Sequence, residues 1–199
     1  MRISTVAALA GLLAAFDASA QTLLFPKLIS YREHFTQSAP LGQADFAKEA
    51  DAHARAASLR KLQENGPFEL RVWRTDVMTG EGIGYVLAQG RMKTFRTLPG
   101  LHGRERAVLL ANRTIRPTLL PVQELRALKG VSGQWTSCGV ADGERVLIEA
   151  SLDGVPVQAI ADNPTACSNA STIGITALLQ AVDTLGDHLG VQASMTSSE

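Results

Sequence analysis

Apolar residues recur at every second position in some stretches of the chain and at every third or fourth in others. The switches between these two periods mark out its elements. From Ala44 to Glu64 the spacing is helical, with seven alanines and a thin apolar face of Phe46, Ala50, Ala54 and Ala57. Asn65-Gly66-Pro67 supplies the stop, because Asn or Gly just past a helix, followed by Pro, ends it. A helix this rich in alanine rests mostly on propensity and packs lightly on its neighbours.

After Pro67 the period becomes two. Phe68, Leu70 and Val72 alternate with Glu69, Arg71 and Trp73, and a Gly-rich turn leads into Ile83, Tyr85 and Leu87. This predicts an antiparallel pair of strands. Arg91 to Thr97 and Arg106 to Ala111 predict two more, around Pro99-Gly100-Leu101-His102-Gly103. Pro121 to Lys129 reads as a short helix ending at Gly130, with Leu125 and Leu128 facing inward.

Asp153-Gly154 is a two-residue hairpin signal. A hairpin centred on it places Val146, Ile148, Ala150 and Leu152 opposite Ala161, Ala159, Val157 and Val155 on one face. The other face then opposes Arg145 to Asp162, a favourable charge pair, and a one-residue slip would mix apolar with polar. Pro156 removes a backbone donor, so its strand should lie locally at an edge. Ser171 to Leu189 carries Ile175, Leu178, Leu179, Val182 and Leu185 at helical spacing and predicts a closing helix on that sheet.

These elements make one α+β domain over residues 21–190, with an antiparallel sheet of about five or six strands. The Ala-rich N-terminal helix and the C-terminal helix are expected to pack on one face of it. Residues 191–199 read as a flexible tail. Ahead of the domain, Arg2, the apolar run Ile3 to Phe16 and Ala18-Ser19-Ala20 have the form of a signal peptide over residues 1–20, cleaved at Ala20-Gln21. That run is too short to cross a bilayer, and no later stretch could do so. The expected location is therefore periplasmic or secreted. Cys138 and Cys167, the two cysteines, are expected to form a disulfide there. Both fall on the core-facing parity at the mouth of the hairpin.

The chain of 199 residues carries 19 Lys+Arg and 19 Asp+Glu, a neutral balance that removes the simplest case for a nucleic-acid binder. The balance is uneven along the chain. Seven basic residues (Arg91, Lys93, Arg96, Arg104, Arg106, Arg113, Arg116) stand between 91 and 116 against Glu105 alone. Between 137 and 187, Asp142, Glu144, Glu149, Asp153, Asp162, Asp183 and Asp187 stand against Arg145 alone. Either the two segments neutralise each other in the fold, or they form separate faces that steer a charged partner.

No catalytic motif emerges. Thr79-Gly80-Glu81-Gly82-Ile83-Gly84 precedes a strand rather than a helix, so it reads as a hairpin loop and not a phosphate cradle. His53 on the Ala-rich helix reads as a solvated residue, His102 lies in a Gly-flanked turn, and His188 lies near a helix end. No spacing suits a metal, and no cofactor is implied. The sequence therefore points to an exported, non-enzymatic binding protein, of an inhibitor or immunity type, acting on an exported protein partner. Arg91, Lys93, Arg96, Arg104 and Arg106 are its candidate contact residues. The alternatives are a small periplasmic hydrolase, using His34 or the hairpin acids Asp142, Glu144, Glu149 and Asp162, and an envelope-associated structural protein. The oligomeric state is open.

Overall fold

A computed structural model describes residues 36–40, 42–63, 66–99, 105–139, 143–167 and 170–190. The expected signal peptide, the expected tail, Arg104, His34, His102 and Asp142 lie outside the described residues. The strands are β1 (Thr36–Pro40), β2 (Glu69–Asp76), β3 (Gly82–Ala88), β4 (Arg91–Leu98), β5 (Arg106–Thr114), β6 (Gln134–Cys138), β7 (Glu144–Leu152) and β8 (Val155–Asp162). The helices are α1 (Gln43–Ala56), α2 (Val122–Ala127) and α3 (Ala170–His188).

The α+β class holds, but the sheet is larger than expected. Eight strands run in the order β1-β6-β8-β7-β2-β3-β4-β5. It is mostly antiparallel, with β6 and β8 parallel. The β7–β8 hairpin has the register read from Asp153-Gly154: Arg145 faces Asp162 and Ile148 faces Ala159. Asp153 and Gly154 both have positive φ, as the tight turn requires. Pro156 lies beyond the reach of β6, which pairs with Ala159 to Asp162 only, so β8 is locally an edge there.

Strand alternation sorts the core into two clusters. Leu70 and Val72 of β2, Ile83, Tyr85 and Leu87 of β3 and the even positions of β7 share one with Leu125, Leu128 and the α3 residues Ile175, Leu178, Leu179 and Val182. The opposite face of the sheet centre does not face water. Trp73, Val86, Phe95, Leu147 and Ile160 share a second cluster with Phe46, Ala50 and Ala57. The expectation of helices on one face is therefore corrected: both faces of the sheet centre are buried.

Helix α1 also ends earlier than Asn65-Gly66-Pro67 implies. Ser58 takes φ +53°, its N–H donates to the Arg55 carbonyl, and the Leu59 N–H reaches back 2.8 Å to the Ala54 carbonyl. This pair of bonds is a Schellman motif, and Leu59, just past it, packs on the second cluster.

Cys138 and Cys167 are bridged, with Cα atoms 5.9 Å apart. The path differs from the expected hairpin mouth. Cys138 ends β6, on the far flank of β8 from β7, so the bridge ties β6 to the segment leading into α3. The bridged residues are 29 apart in sequence, which in the chain-entropy model corresponds to about 3–4 kcal/mol. Urea unfolding with and without reductant should differ by about this amount; equal midpoints would show that the bridge contributes nothing.

A second outcome is expected at Gly84, where a Cβ would lie 2.1 Å from the Trp73 ring. Gly84→Ala should lower stability by about 3 kcal/mol by overpacking. An unshifted urea midpoint would mean the ring can move aside.

Candidate functional site

The face covered by α1 holds the unusual chemistry. Trp73 is buried to 1% exposure, its ring lying against the bare backbone of Gly84. Of the string read as a hairpin loop, Gly82 and Gly84 lie within β3, where Gly84 makes room for the indole. His53 comes down from α1 and stacks on Trp73 with ring centroids 5.0 Å apart and an interplanar angle of 12°. His53 is buried, which corrects the expectation of a solvated residue. Its Nδ1 lies 2.9 Å from Glu105 Oε2, and neither atom has another hydrogen-bond partner among the described residues.

One pairing step along β2, Arg71 is 1% exposed. Its Nε donates to Glu69 Oε1 at 2.8 Å, its Nη1 to Glu149 Oε1 at 2.8 Å and its Nη2 to the Arg60 carbonyl at 2.6 Å. Glu69 and Glu149 are themselves buried. Burial pushes the Glu149 carboxyl up from its usual range, against the pull of Arg71. Glu149 lies on the face of β7 that carries Arg145 and Leu147. The second cluster covers that face, and its partner is Arg71.

Above this network a cleft of about 270 Å³ opens between the end of α1 and the β2–β3–β4 surface. Ser58, Leu59 and Arg60 form one wall, Glu69 and Arg71 the floor, and Arg91 and Lys93 the opposite wall. Arg71 is committed to its carboxylates, so the cations facing the opening are Arg60, Arg91 and Lys93. Arg91 spends its Nε on Asn112 Oδ1 at 2.8 Å. Lys93 is half-buried and has no hydrogen-bond or ion-pair partner among the described residues.

Of the candidate contact residues, Arg91 and Lys93 meet in this cleft. Arg96 is drawn elsewhere, to Glu81 Oε2 at 2.8 Å, and Arg106 is exposed at the start of β5. Arg60 was missed by sequence reasoning. It lies within a stretch read as helix, and only the early turn at Ser58 brings it to the cleft.

The described hairpin acids do not converge. Glu144 pairs with Arg74, which also holds Asp183 at 2.7 Å, and Tyr85 donates to the same Asp183 at 3.1 Å. Burial raises the Tyr85 phenol well above its ordinary range, with Asp183 adding to the effect. Asp162 accepts from Arg145 at 2.7 Å and from Trp135 Nε1 at 2.9 Å. Glu144, Glu149 and Asp162 thus satisfy three different arginines, none of which belongs to residues 91–116. In the strand order β4 and β5 stand at one end, with β2 and β3 between them and the β7–β8 hairpin. The basic and acidic segments therefore lie apart. Among the described residues no group of three or more His, Cys, Asp or Glu side chains is placed to hold a metal, and no helix is long and apolar enough to cross a membrane.

The chain matches no family model and no curated protein. A solved structure of a putative adenylate cyclase from Bacillus halodurans is similar to it over 83% of this chain and 94% of the other, at 8% identity and a TM-score of 0.21. That likeness is too slight to bear on fold or function.

The His53 contact is the largest influence holding Glu105 below the usual carboxylate range, with burial opposing it. A carboxylate whose folded pKa is depressed contributes stability above its unfolded pKa, and this is lost as pH falls through the folded value. Glu105 is partly exposed, so the contribution is about 0.5–1 kcal/mol. Glu105→Gln should cost this amount at pH 7, and the difference from wild type should vanish in acid, below the ordinary carboxylate range. A gap independent of pH would assign the loss to packing.

Proposed function

We propose that this chain is an exported binding protein whose basic cleft receives a carboxylate-bearing segment of an exported protein partner, in the manner of an inhibitor or immunity protein. Lys93 carries the reading. Lys93 is a half-buried residue whose ammonium has no counter-ion among the described residues, in a fold where many other cations are paired, and an incoming carboxylate would supply one. Arg91 and Arg60 flank it and can offer further donors to the same acid. The separation of the basic and acidic segments supports the reading too, because a field that is not cancelled internally speeds encounter with an acidic partner. The bridge between Cys138 and Cys167 is compatible with an oxidising compartment.

The test uses the full, oxidised chain as bait against envelope and culture-medium fractions. A labelled hexaglutamate peptide serves as a defined acidic probe. Wild type should retain a stoichiometric protein, and its peptide affinity should fall about tenfold or more between low and physiological salt. The double variant Arg91→Gln/Lys93→Gln should lose both, while Arg106→Gln, outside the cleft, should keep them. Capture unchanged by the double variant would remove the cleft from the binding surface.

A further inference from the structure

Among the described residues, four other than glycine lie in the left-handed region of the backbone: Ser58, Gln89, Asp153 and Asn163, with φ between +52° and +55°. Asp153 and Asn163 are of the types that visit this region most readily, and the Asn163 side chain also accepts from the Glu144 N–H at 2.8 Å. Ser58 and Gln89 have no such account. Ser58 holds the position past α1 that glycine usually takes. Gln89 precedes Gly90 in the two-residue turn between the paired Ala88 and Arg91, where asparagine or aspartate is preferred. Both side chains are exposed, and neither has a hydrogen-bond partner among the described residues. Yet both line the basic cleft, Ser58 beside Leu59 and Arg60, and Gln89 on the turn that leads into Arg91 and Lys93. Strain of this kind collects at functional sites, where the side chain is needed for something other than the fold.

We infer that Ser58 and Gln89 are recognition residues of the cleft, and that they read the peptide backbone of an acidic segment whose carboxylate is held by Lys93. This rests on the carboxylate-binding reading of the cleft and adds what kind of acid it takes. Arg60, Arg91 and Lys93 only donate hydrogen bonds, so they register negative charge and nothing more. A hydroxyl and a carboxamide both donate and accept. Such groups meet an N–H as well as a C=O, which a peptide presents beside its carboxylates and a plain polyacid does not. Glu69, the acceptor on the floor, already holds Arg71 and faces Arg60. The side-chain acceptors left open among the lining residues are therefore Ser58 Oγ and Gln89 Oε1. Glycine at either position would relax the backbone and remove this second kind of contact, which is why the strained residue is the informative one.

Two measurements on the full, oxidised chain test this. In urea, Ser58→Gly and Gln89→Gly should each raise the unfolding midpoint, because glycine takes the left-handed region freely. A midpoint that fails to rise in either variant would overturn the inference whatever the cleft binds. Binding is read with labelled hexaglutamate against a six-unit polyacrylate, which has the carboxylates without the amides. Wild type should favour hexaglutamate by about tenfold at physiological salt, the discrimination that one or two hydrogen bonds supply. The double variant Ser58→Gly/Gln89→Gly should lose that preference, hold polyacrylate as wild type does and keep the same fall of affinity with salt. Arg91→Gln/Lys93→Gln should lose both polymers, and Asp153→Gly, at a positive-φ turn outside the cleft, should change neither. Equal affinity of wild type for the two polymers, or a preference that survives in the double variant, would overturn the peptide assignment and leave the basic cleft standing. Failure of wild type to bind either polymer would remove the cleft reading and this inference with it.

Discussion

A guanidinium shut away from water in the middle of a sheet is tolerated only if it is paired and hydrogen-bonded, and each of the three nitrogens of Arg71 has a partner. The desolvation penalty is about several kcal/mol for each ion, and attraction in the interior offsets it only when the geometry is complete. Each of the three bonding partners belongs to a different part of the fold. Glu69 is on β2 itself, Glu149 is on β7, and the Arg60 carbonyl is on the chain leaving α1. The arginine therefore fixes more than its own position. A one-residue slip of β7 against β2 would swing Glu149 to the opposite face and leave a buried cation with half its counter-charge, so the register between the hairpin and the rest of the sheet is coupled to this one side chain.

The same demand shapes the outer surface. Acids of the C-terminal third are drawn inward or sideways by arginines of β2 and β7: Glu149 by Arg71, Glu144 and Asp183 by Arg74, Asp162 by Arg145. They are thereby withheld from the basic residues of β4 and β5 at the other end of the sheet. A composition with equal numbers of each sign produces a surface with a basic end because the buried and half-buried pairing is done by other arginines. Net charge described the sum and gave no sign of this allocation.

What could be read from the sequence, and what could not, follows from how local the constraint was. The β7–β8 register was legible because a two-residue turn leaves one free choice, and parity of Val146, Ile148 and Ala150 against Arg145 settles it. The second layer was not legible, because Glu69, Arg71 and Glu149 at alternate positions look like a solvated face. Polar residues that satisfy one another are indistinguishable by pattern from polar residues satisfied by water. Trp73, lying on the same parity, was the available warning. The disulfide partners were right although the path was wrong. With two cysteines the pairing has one solution, whereas β6 is only five residues long and enters beside β8 from the far flank. Most of the cleft was hidden for the same reason as the second layer: Arg91 and Lys93 were singled out by charge, but nothing placed Arg60 beside them.

That placement depends on where α1 stops. Continued to Glu64 at about 1.5 Å per residue, the helix would run some 12 Å further and carry Arg60 with it. The chain instead turns at Ser58, against the usual preference for glycine in a left-handed C-cap position. Two gains offset the strain: Leu59 returns to the apolar cluster beneath α1, and the Arg60 carbonyl accepts from Arg71 Nη2. With the backbone of Arg60 tied down, its own guanidinium lies 3.9 Å from Glu69 and borders the opening across from Arg91 and Lys93. The buried arginine thus requires a carbonyl, the carbonyl requires an early helix end, and the early end leaves a gap lined with cations. The cleft follows from satisfying the interior, and its charge is what remains once that has been done.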